Sequence, residues 1–222
     1  KLINENELQF VEHSVSEAIE GNSIEINLNI YEGSKDLIER INIKGNTVTN
    51  ESVIRSTLLL DEGDPFNKLK LEKSIAKLKS RGIFGSVKEK ITEGSTSDLK
   101  VIDLIVEERP TGEISAGAGV GTGGASFAFQ VTENNFMGEG IRLSSSIDTN
   151  KDSLKGTLRV SNPNYNYSGN ELNYHLSSAA IDKTTTSGFK NTIYSTGVGT
   201  RFEQYKNIYL APSIFLSYDD LK

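Results

Sequence analysis

The chain has 222 residues, of which 36% are hydrophobic, a formal net charge of −6 and no cysteine. Without cysteine it can form neither a disulfide framework nor a thiol nucleophile. The acidic balance lacks the basic patch that neutralises phosphates, so we expect no nucleic-acid partner. The longest apolar runs are a few residues, far short of the roughly 20 that a membrane-spanning helix needs. The first residues are polar and acidic, so any export signal is expected upstream of the chain.

The first 108 residues contain an internal repeat. Residues 26–32, Ile-Asn-Leu-Asn-Ile-Tyr-Glu, recur 76 positions later as residues 102–108, Ile-Asp-Leu-Ile-Val-Glu-Glu. A fixed period indicates a repeated structural unit. We therefore interpret residues 1–34 as the last two strands of one copy, followed by a complete copy over residues 35–109.

The complete copy has the predicted element order β-α-α-β-β. A strand over 37–44 ends at the turn residues Gly45 and Asn46, and Asn50 is the predicted N-cap of a helix over 51–59. Asn67 is the predicted cap of a second helix, whose apolar residues are close to helical spacing. Gly82 suits the end of that helix because a positive φ is needed there. Two strands are predicted to follow, over 87–93 and 98–107.

The composition changes at residues 107–112. After this point lie 13 of the 20 glycines and 13 of the 17 aromatic residues. Segments of about ten residues, such as 114–120, alternate apolar residues with polar residues or glycine, which gives each strand one apolar and one polar face. Seven such strands over 110–222 are expected for the wall of a transmembrane β-barrel. A soluble β-sandwich gives a similar alternation, so the pattern alone leaves both possibilities open.

The alternation also predicts which face each residue occupies. Arg142, Lys155, Arg159 and His175 fall on the inner face, since a cation on the lipid side near the midplane costs about 2–4 kcal/mol. The first strand has mostly small outward residues and inward Ser and Gly, so its pairing should be weak and rest on its backbone. The predicted outward residues are Ile114, Ala116, Ala118, Val120, Phe127, Phe129, Val131, Ile141, Leu143, Leu154, Leu158, Val160, Leu172, Tyr174, Leu176, Tyr194, Val198, Phe202, Ile208, Leu210, Ile214 and Leu216.

Several segments together resemble a known family. Residues 43–46, 78–87 and 105–108 resemble a POTRA domain. Residues 112–122 resemble the first barrel strand of BamA-type outer-membrane protein assembly factors, and 134–140 the turn after the second. Residues 160–165 resemble the end of the fourth strand, although Asn164 stands where the family often has an aromatic residue.

The resemblance covers essentially the whole chain and implies its fold class. The implied fold is an α+β POTRA module followed by about seven of the sixteen antiparallel strands of a transmembrane β-barrel. Seven strands would not close a barrel, so we expect the chain to be part of a larger protein.

The resemblance implies assembly and insertion of β-barrel proteins in the bacterial outer membrane, with the POTRA part in the periplasm. The implied partners are unfolded outer-membrane protein clients, accessory outer-membrane lipoproteins and the lipid bilayer. A lipoprotein is implied to contact the turn after the first POTRA helix, where Glu62 stands. The first strand would form a lateral gate that templates client strands, through Glu113, Ile114, Ser115, Ala116, Gly117, Ala118, Gly119, Val120 and Gly121.

Three other functions compete with this interpretation. The nearest is a TamA-like or two-partner secretion translocation pore, which shares POTRA modules and a sixteen-stranded barrel. A passive porin is disfavoured by the POTRA-like repeat. A soluble β-sandwich adhesin or lectin would leave residues 111–222 soluble without detergent.

Other motifs give no catalytic, cofactor or metal site, and we expect the protein not to be an enzyme. Residues 119–124 match G-x-G-x-x-G, but a strand pattern follows where a dinucleotide site needs a helix. His13 and His175, the only histidines, stand in different domains without a second ligand. Asp61, Glu62 and Asp64 fit no calcium loop and indicate a solvated turn. No serine lies in a G-x-S-x-G elbow.

Overall fold

The computed structural model describes residues 11–20, 23–32, 35–121 and 124–222. Their contacts divide the chain into two compact units. The second unit comprises Asn46–Thr57, Lys79–Ser86 and Glu107–Lys222, and the first holds the other described segments. Neither helix of the described part is both long and apolar enough to cross a membrane.

The first unit begins with an antiparallel hairpin. Strands β1 (Val11–Glu20) and β2 (Ser23–Glu32) pair along their whole length. These are the two strands predicted for the end of a preceding copy. The other residues of that predicted segment, 1–10, 21–22 and 33–34, lie outside the described residues.

The predicted β-α-α-β-β order of the complete copy is confirmed. Its elements are β3 (Leu37–Lys44), α1 (Glu51–Arg55), α2 (Lys68–Ser80), β4 (Phe84–Glu93) and β5 (Leu99–Glu108). The strands form one sheet in the order β3-β5-β4, with β3 parallel to β5. Alternate residues of β5 point to one buried face, as period-two burial requires. The buried apolar side chains of the first unit include Ile38, Ile41, Leu71, Leu78, Ile102, Leu104 and Val106.

The second helix is capped as predicted. The Lys70 N–H donates to Asn67 Oδ1 at 2.9 Å, so Asn67 satisfies one of the free N–H groups of the first turn. Gly82, which follows the helix, has φ of +72°, and Gly45 at the end of β3 has φ of +93°. A Cβ at Gly45 would collide with the carbonyl oxygen of Val106, so glycine is required there.

The first helix begins where predicted but is shorter than predicted. It ends at Arg55 and not at residue 59. The hydroxyls of Ser56 and Thr57 donate to the carbonyl of Val53, at 3.3 and 2.8 Å, and this local bonding competes with continued helix. Asn50 is the N-cap residue as predicted, and its carbonyl accepts from the Val53 N–H at 3.0 Å, but its side chain makes no capping hydrogen bond.

The second unit contains an antiparallel sheet in which each strand pairs with the next along the chain. Pairing continues up to β13, which follows β12 along the same neighbour, β11. The predicted seventh strand is therefore present but interrupted at Ala211 and Pro212, since proline cannot donate to the ladder. The strands are β6 (Gly112–Gly121), β7 (Gly124–Phe136), β8 (Ile141–Asn150), β9 (Ser153–Asn162), β10 (Glu171–Lys183), β11 (Phe189–Tyr205), β12 (Ile208–Leu210) and β13 (Ser213–Leu221).

The strand register confirms that the predicted apolar residues share one face. One cross-strand row joins Leu143, Val160, Tyr174, Val198 and Ile214 across five strands. The opposite face carries a row that joins Ser144, Arg159, His175, Gly197 and Phe215. Register is strongly determined here because a one-residue slip would move every apolar side chain to the polar face.

Candidate functional site

The nine predicted gate residues lie together on β6, which ends the sheet. Among the described residues β6 pairs with β7 alone. All ten residues of the strand are exposed, including Ile114 at 72% and Val120 at 90%. A Cβ at Gly117 would meet nothing within 4 Å. The strand is therefore held by its backbone ladder to β7, with little side-chain packing. Its role as a gate stays a prediction.

Glu62 lies in the first unit, in the exposed turn between α1 and α2. Its Oε1 accepts a hydrogen bond from the Ile41 N–H at 3.0 Å. The register of β3 shifts at this place, between Ile38 and Arg40, and the carboxylate satisfies a backbone donor beside the shift. Glu62 thus has a local structural task that the sequence did not indicate, and its contact with a lipoprotein stays a prediction.

A network of polar contacts, absent from the sequence-based prediction, joins segments of the second unit. It is called the turn cluster here and comprises residues 47–57, Arg81, Glu108, the β7–β8 turn with its flank (135–140) and Asn164. The hairpins alternate ends, so the β7–β8 turn and the β9–β10 loop lie at the end of the sheet where β6 begins.

Asn135 is at the centre of the turn cluster and is only 7% exposed. Its Nδ2 donates to Thr49 Oγ1 at 2.9 Å, and its Oδ1 accepts from the Gly140 N–H at 2.8 Å. A buried amide that both donates and accepts in this way specifies the position of both neighbours.

Asn50 contacts the β7–β8 turn through both its backbone N–H and its side-chain amide. Its N–H donates to the Gly138 carbonyl at 2.9 Å, and its Nδ2 donates to Glu139 Oε1 at 2.7 Å. Gly138 has φ of +75°, and a Cβ there would collide with the carbonyl oxygen of Val48. Only glycine permits this close approach of two backbones.

The carboxylate of Glu108 anchors the adjoining loop. It accepts hydrogen bonds from the N–H groups of Thr47, Val48 and Thr49 at 2.9, 3.0 and 2.6 Å, and from Thr47 Oγ1 at 2.6 Å. Desolvation by partial burial acts to raise the pKa of Glu108, but these hydrogen bonds outweigh it and lower the pKa to about 2. Glu108 therefore remains ionised over the whole physiological pH range.

Arg81 carries a partly buried positive charge in the turn cluster. Its Nη1 donates to Thr57 Oγ1 at 3.1 Å and its Nη2 to the Gly140 carbonyl at 3.3 Å. Both acceptors are neutral. Within the described part of the chain no carboxylate forms an ion pair with Arg81, and desolvation lowers its pKa.

The inner face of the sheet carries an aromatic contact between Phe215 and His175. Phe215 packs edge-on against His175, with ring centroids 6.1 Å apart and an interplanar angle of 73°. The Phe215 ring also covers Gly197, where an added Cβ would collide with it. An aromatic side chain thus fills the space that a strand glycine leaves, and His175 lies on the predicted face.

Comparison with known proteins agrees with this architecture. The family model described as "POTRA: Surface antigen variable number repeat" matches residues 37–109. The chain is 26% identical over 185 residues to the outer membrane protein assembly factor BamA of Neisseria meningitidis serogroup B, covering 81% of this chain and 23% of that protein. Residues 37–109 thus match a POTRA model, and the chain as a whole is similar to BamA-type outer membrane protein assembly factors. It is an outer-membrane protein with a periplasmic POTRA region.

Solved structures share the fold. BamA from Haemophilus ducreyi lacking POTRA domains 1–3 matches with a TM-score of 0.73 at 22% identity, over 96% of this chain and 41% of that one. CdiB from Escherichia coli matches with a TM-score of 0.62 at 14% identity, over 96% of this chain and 42% of that one. The chain spans about a quarter of the length of the curated BamA relative that it matches.

Proposed function

We propose that the protein containing this chain assembles β-barrel proteins and inserts them into the outer membrane. The observation that carries the proposal is a POTRA module followed by a two-faced antiparallel wall whose first strand, β6, consists mainly of Gly, Ala and Ser. The likeness to proteins named outer membrane protein assembly factor supports the same activity. The scheme needs no catalytic residue and no cofactor.

In this proposal β6 acts as the template for incoming strands. The edge of a sheet presents a row of N–H and C=O groups that can pair with another chain, and a client strand would add by β-augmentation. The residues from Glu113 to Gly121 offer few side chains that would obstruct a client. The free energy would come from the folding of the client, so no nucleotide is required.

We further propose the division of the chain into a preceding POTRA end (1–34), a complete POTRA domain (35–109) and barrel strands (110–222). The partners would be unfolded outer-membrane proteins, accessory lipoproteins and the bilayer. Glu62 would contact a lipoprotein while its Oε1 holds the Ile41 N–H.

The gate is tested by a disulfide lock. The chain has no cysteine, so a Ser115→Cys change can be paired with one cysteine in the final barrel strand of the complete protein. Oxidation should stop insertion of a client barrel, and a reductant should restore it. The matched control is Ser115→Cys with Gln130→Cys, which stand directly opposite on β6 and β7 and leave the other edge free. Undiminished insertion with the first lock would contradict the gate.

The Glu62 contact is tested by Glu62→Gln, which keeps an oxygen acceptor for the Ile41 N–H but removes the charge. We expect less lipoprotein to co-purify with the variant, while its unfolding midpoint is unchanged. Asp61→Asn, in the same exposed turn, is the control. Equal recovery of lipoproteins with both variants would reject the assignment.

A translocation pore of the TamA-like or two-partner secretion kind is the second candidate. The shared fold of CdiB supports it, at a lower TM-score than the BamA structure. The same lock separates the two functions. A pore should still export an unfolded passenger through its lumen when the edge of β6 is locked, whereas an assembly factor should lose its activity.

A further inference from the structure

A small polar cavity lies beside Arg81 within the second unit. Its volume is about 230 Å³, below the roughly 300–1,000 Å³ of pockets that hold drug-sized ligands. It is therefore suited to a compact group. The lining side chains that matter here are Arg81, Glu139, Asn162, Asn164, Tyr165 and Tyr167.

The Arg81 guanidinium has unused hydrogen-bond donors in this cavity. A guanidinium has five N–H donors, and the contacts of Arg81 occupy two of its nitrogens with neutral oxygens. Glu139 lines the same cavity but does not form an ion pair with Arg81, and its Oε1 accepts from Asn50 instead. A partly desolvated cation whose acceptors are both neutral is poorly compensated, so an anion entering the cavity would gain a strong, charge-assisted partner.

The loop that forms one wall of the cavity is held firmly in place. Asn164 Nδ2 donates to Ser56 Oγ at 3.0 Å, and Asn164 Oδ1 accepts from the Gly169 N–H at 2.7 Å. Asn166 and Tyr167 both adopt a positive φ, of 51° and 56°. The cavity is thus preformed by the turn cluster and the β9–β10 loop.

The position of the cavity indicates which anion is available. The β9–β10 loop lies at the end of the wall where β6 begins, which is the periplasmic end. Tyr165 and Tyr167 on this loop are 52% and 56% exposed. Tyrosines are enriched where a membrane protein meets the level of the lipid headgroups, because the ring is apolar and the hydroxyl polar.

We propose that this cavity binds the phosphate of a phospholipid headgroup from the periplasmic leaflet. Arg81 supplies the charged donor, since a guanidinium matches the geometry of phosphate oxygens. The Asn162 amide and the tyrosine hydroxyls supply neutral donors, and Glu139 weakens the site by repulsion. The proposal depends on the membrane location alone and holds whether the protein assembles clients or translocates them.

The site is tested by lipid titration of the complete protein in maltoside micelles. The probe is dihexanoyl phosphatidylglycerol, and its binding is followed by calorimetry. We expect Arg81→Gln to weaken binding about tenfold or more and Arg81→Lys to weaken it less, because a point charge replaces the bidentate donor. Glu139→Gln should tighten binding several-fold. Lys79→Gln, which removes the same charge from the exposed last turn of α2, should change it less than about twofold.

Each outcome bears on the proposal. Wild-type affinity in a folded Arg81→Gln protein would overturn it, as would equal binding of the uncharged dihexanoylglycerol. If Arg81→Gln does not fold, the Glu139→Gln variant tests the proposal. An unchanged affinity of that variant for the lipid would overturn the site. Inorganic phosphate binding as tightly as the lipid would overturn the lipid source and leave a free-phosphate site.

Discussion

β6 and the turn cluster lie in the same unit but are held by different interactions. β6 is exposed along its length and relies on backbone pairing with β7. The turn cluster combines a buried amide, two glycines with positive φ and a carboxylate that accepts several hydrogen bonds. Side chains therefore specify the end of the wall near the POTRA segments, whereas its first strand is left weakly specified.

This contrast separates two kinds of glycine. In the turn cluster, Gly138 is required by its close contact with the Val48 carbonyl, and Gly140 has φ of +64°, which L side chains rarely adopt. In β6, Gly117 and Gly121 have no neighbour within 4 Å of an added Cβ. The glycines of the turn cluster allow neighbouring atoms to pack closely, whereas Gly117 and Gly121 have no neighbouring atoms to pack against. Substitutions that add or remove a few atoms should therefore have very different effects in the two regions.

The largest effect is expected for Gly138→Ala. The new Cβ would collide with the Val48 carbonyl at a positive φ, and we expect a loss of about 2–4 kcal/mol in the free energy of unfolding. The measurement is a urea titration in detergent micelles. Gly169→Ala is the control, because Gly169 has φ of +78° but nothing within 4 Å, and should cost about 1 kcal/mol. Equal losses would mean that the contact with Val48 has no energetic weight.

Asn135→Ala should have the next largest effect. It leaves the Thr49 hydroxyl and the Gly140 N–H without their buried partner, at a cost of about 1–3 kcal/mol. The same titration measures it. Gln130→Ala, on the exposed part of the same strand, should stay within about 0.5 kcal/mol. An unchanged free energy of unfolding in Asn135→Ala would show that the turn cluster does not stabilise the wall.

Within the sheet itself, Gly197→Ala should be more costly than Gly117→Ala. The Cβ at position 197 would displace the Phe215 ring from the inner face, and we expect a loss of about 1–2 kcal/mol. The equivalent change in β6 meets open space and should stay within about 0.5 kcal/mol. A comparable loss at both positions would contradict the sparse packing of β6.

The smallest expected effect is the pH dependence that arises from Glu108. The folded pKa is depressed to about 2 from an ordinary 4.5, so the contribution is fully present above pH 4.5 and is lost as the pH falls towards 2. After discounting for solvent screening it should be about 1 kcal/mol. Unfolding titrations at several pH values should show that the free energy of unfolding falls less steeply below pH 4.5 in Glu108→Gln than in the unaltered chain. The control is Glu107→Gln. The Glu107 carboxylate accepts a hydrogen bond from Ser86, and its replacement should leave the pH dependence of the unaltered chain unchanged.

The sequence predicted those features that depend on local periodicity. The two faces of the wall followed from the alternation of apolar and polar residues. The cap at Asn67 followed from its residue type and from its position three residues before Lys70, whose N–H it accepts. The POTRA element order followed in the same way. Each of these signals lies within about ten residues of chain, where sequence patterns are informative.

The features that were missed depend on contacts between distant residues. Asn50 stands at the predicted cap position, but its contacts with Glu139 and Gly138, nearly ninety positions away, have no local signal. Glu62 and Glu108 look like surface acids, yet each accepts hydrogen bonds from a backbone segment far along the chain. The interruption of the seventh strand had a local signal, Pro212, which the alternation of its neighbours obscured.

The bonds of Glu108 have a mechanical consequence. Glu108 is the last residue of β5, only three positions before β6 begins, and it holds the backbone of residues 47–49. The next residue, Asn50, is bonded to the β7–β8 turn. A displacement of Glu108 must therefore either break its hydrogen bonds to residues 47–49 together or move that loop with it. Glu108 and this loop should accordingly separate in one cooperative step and not gradually.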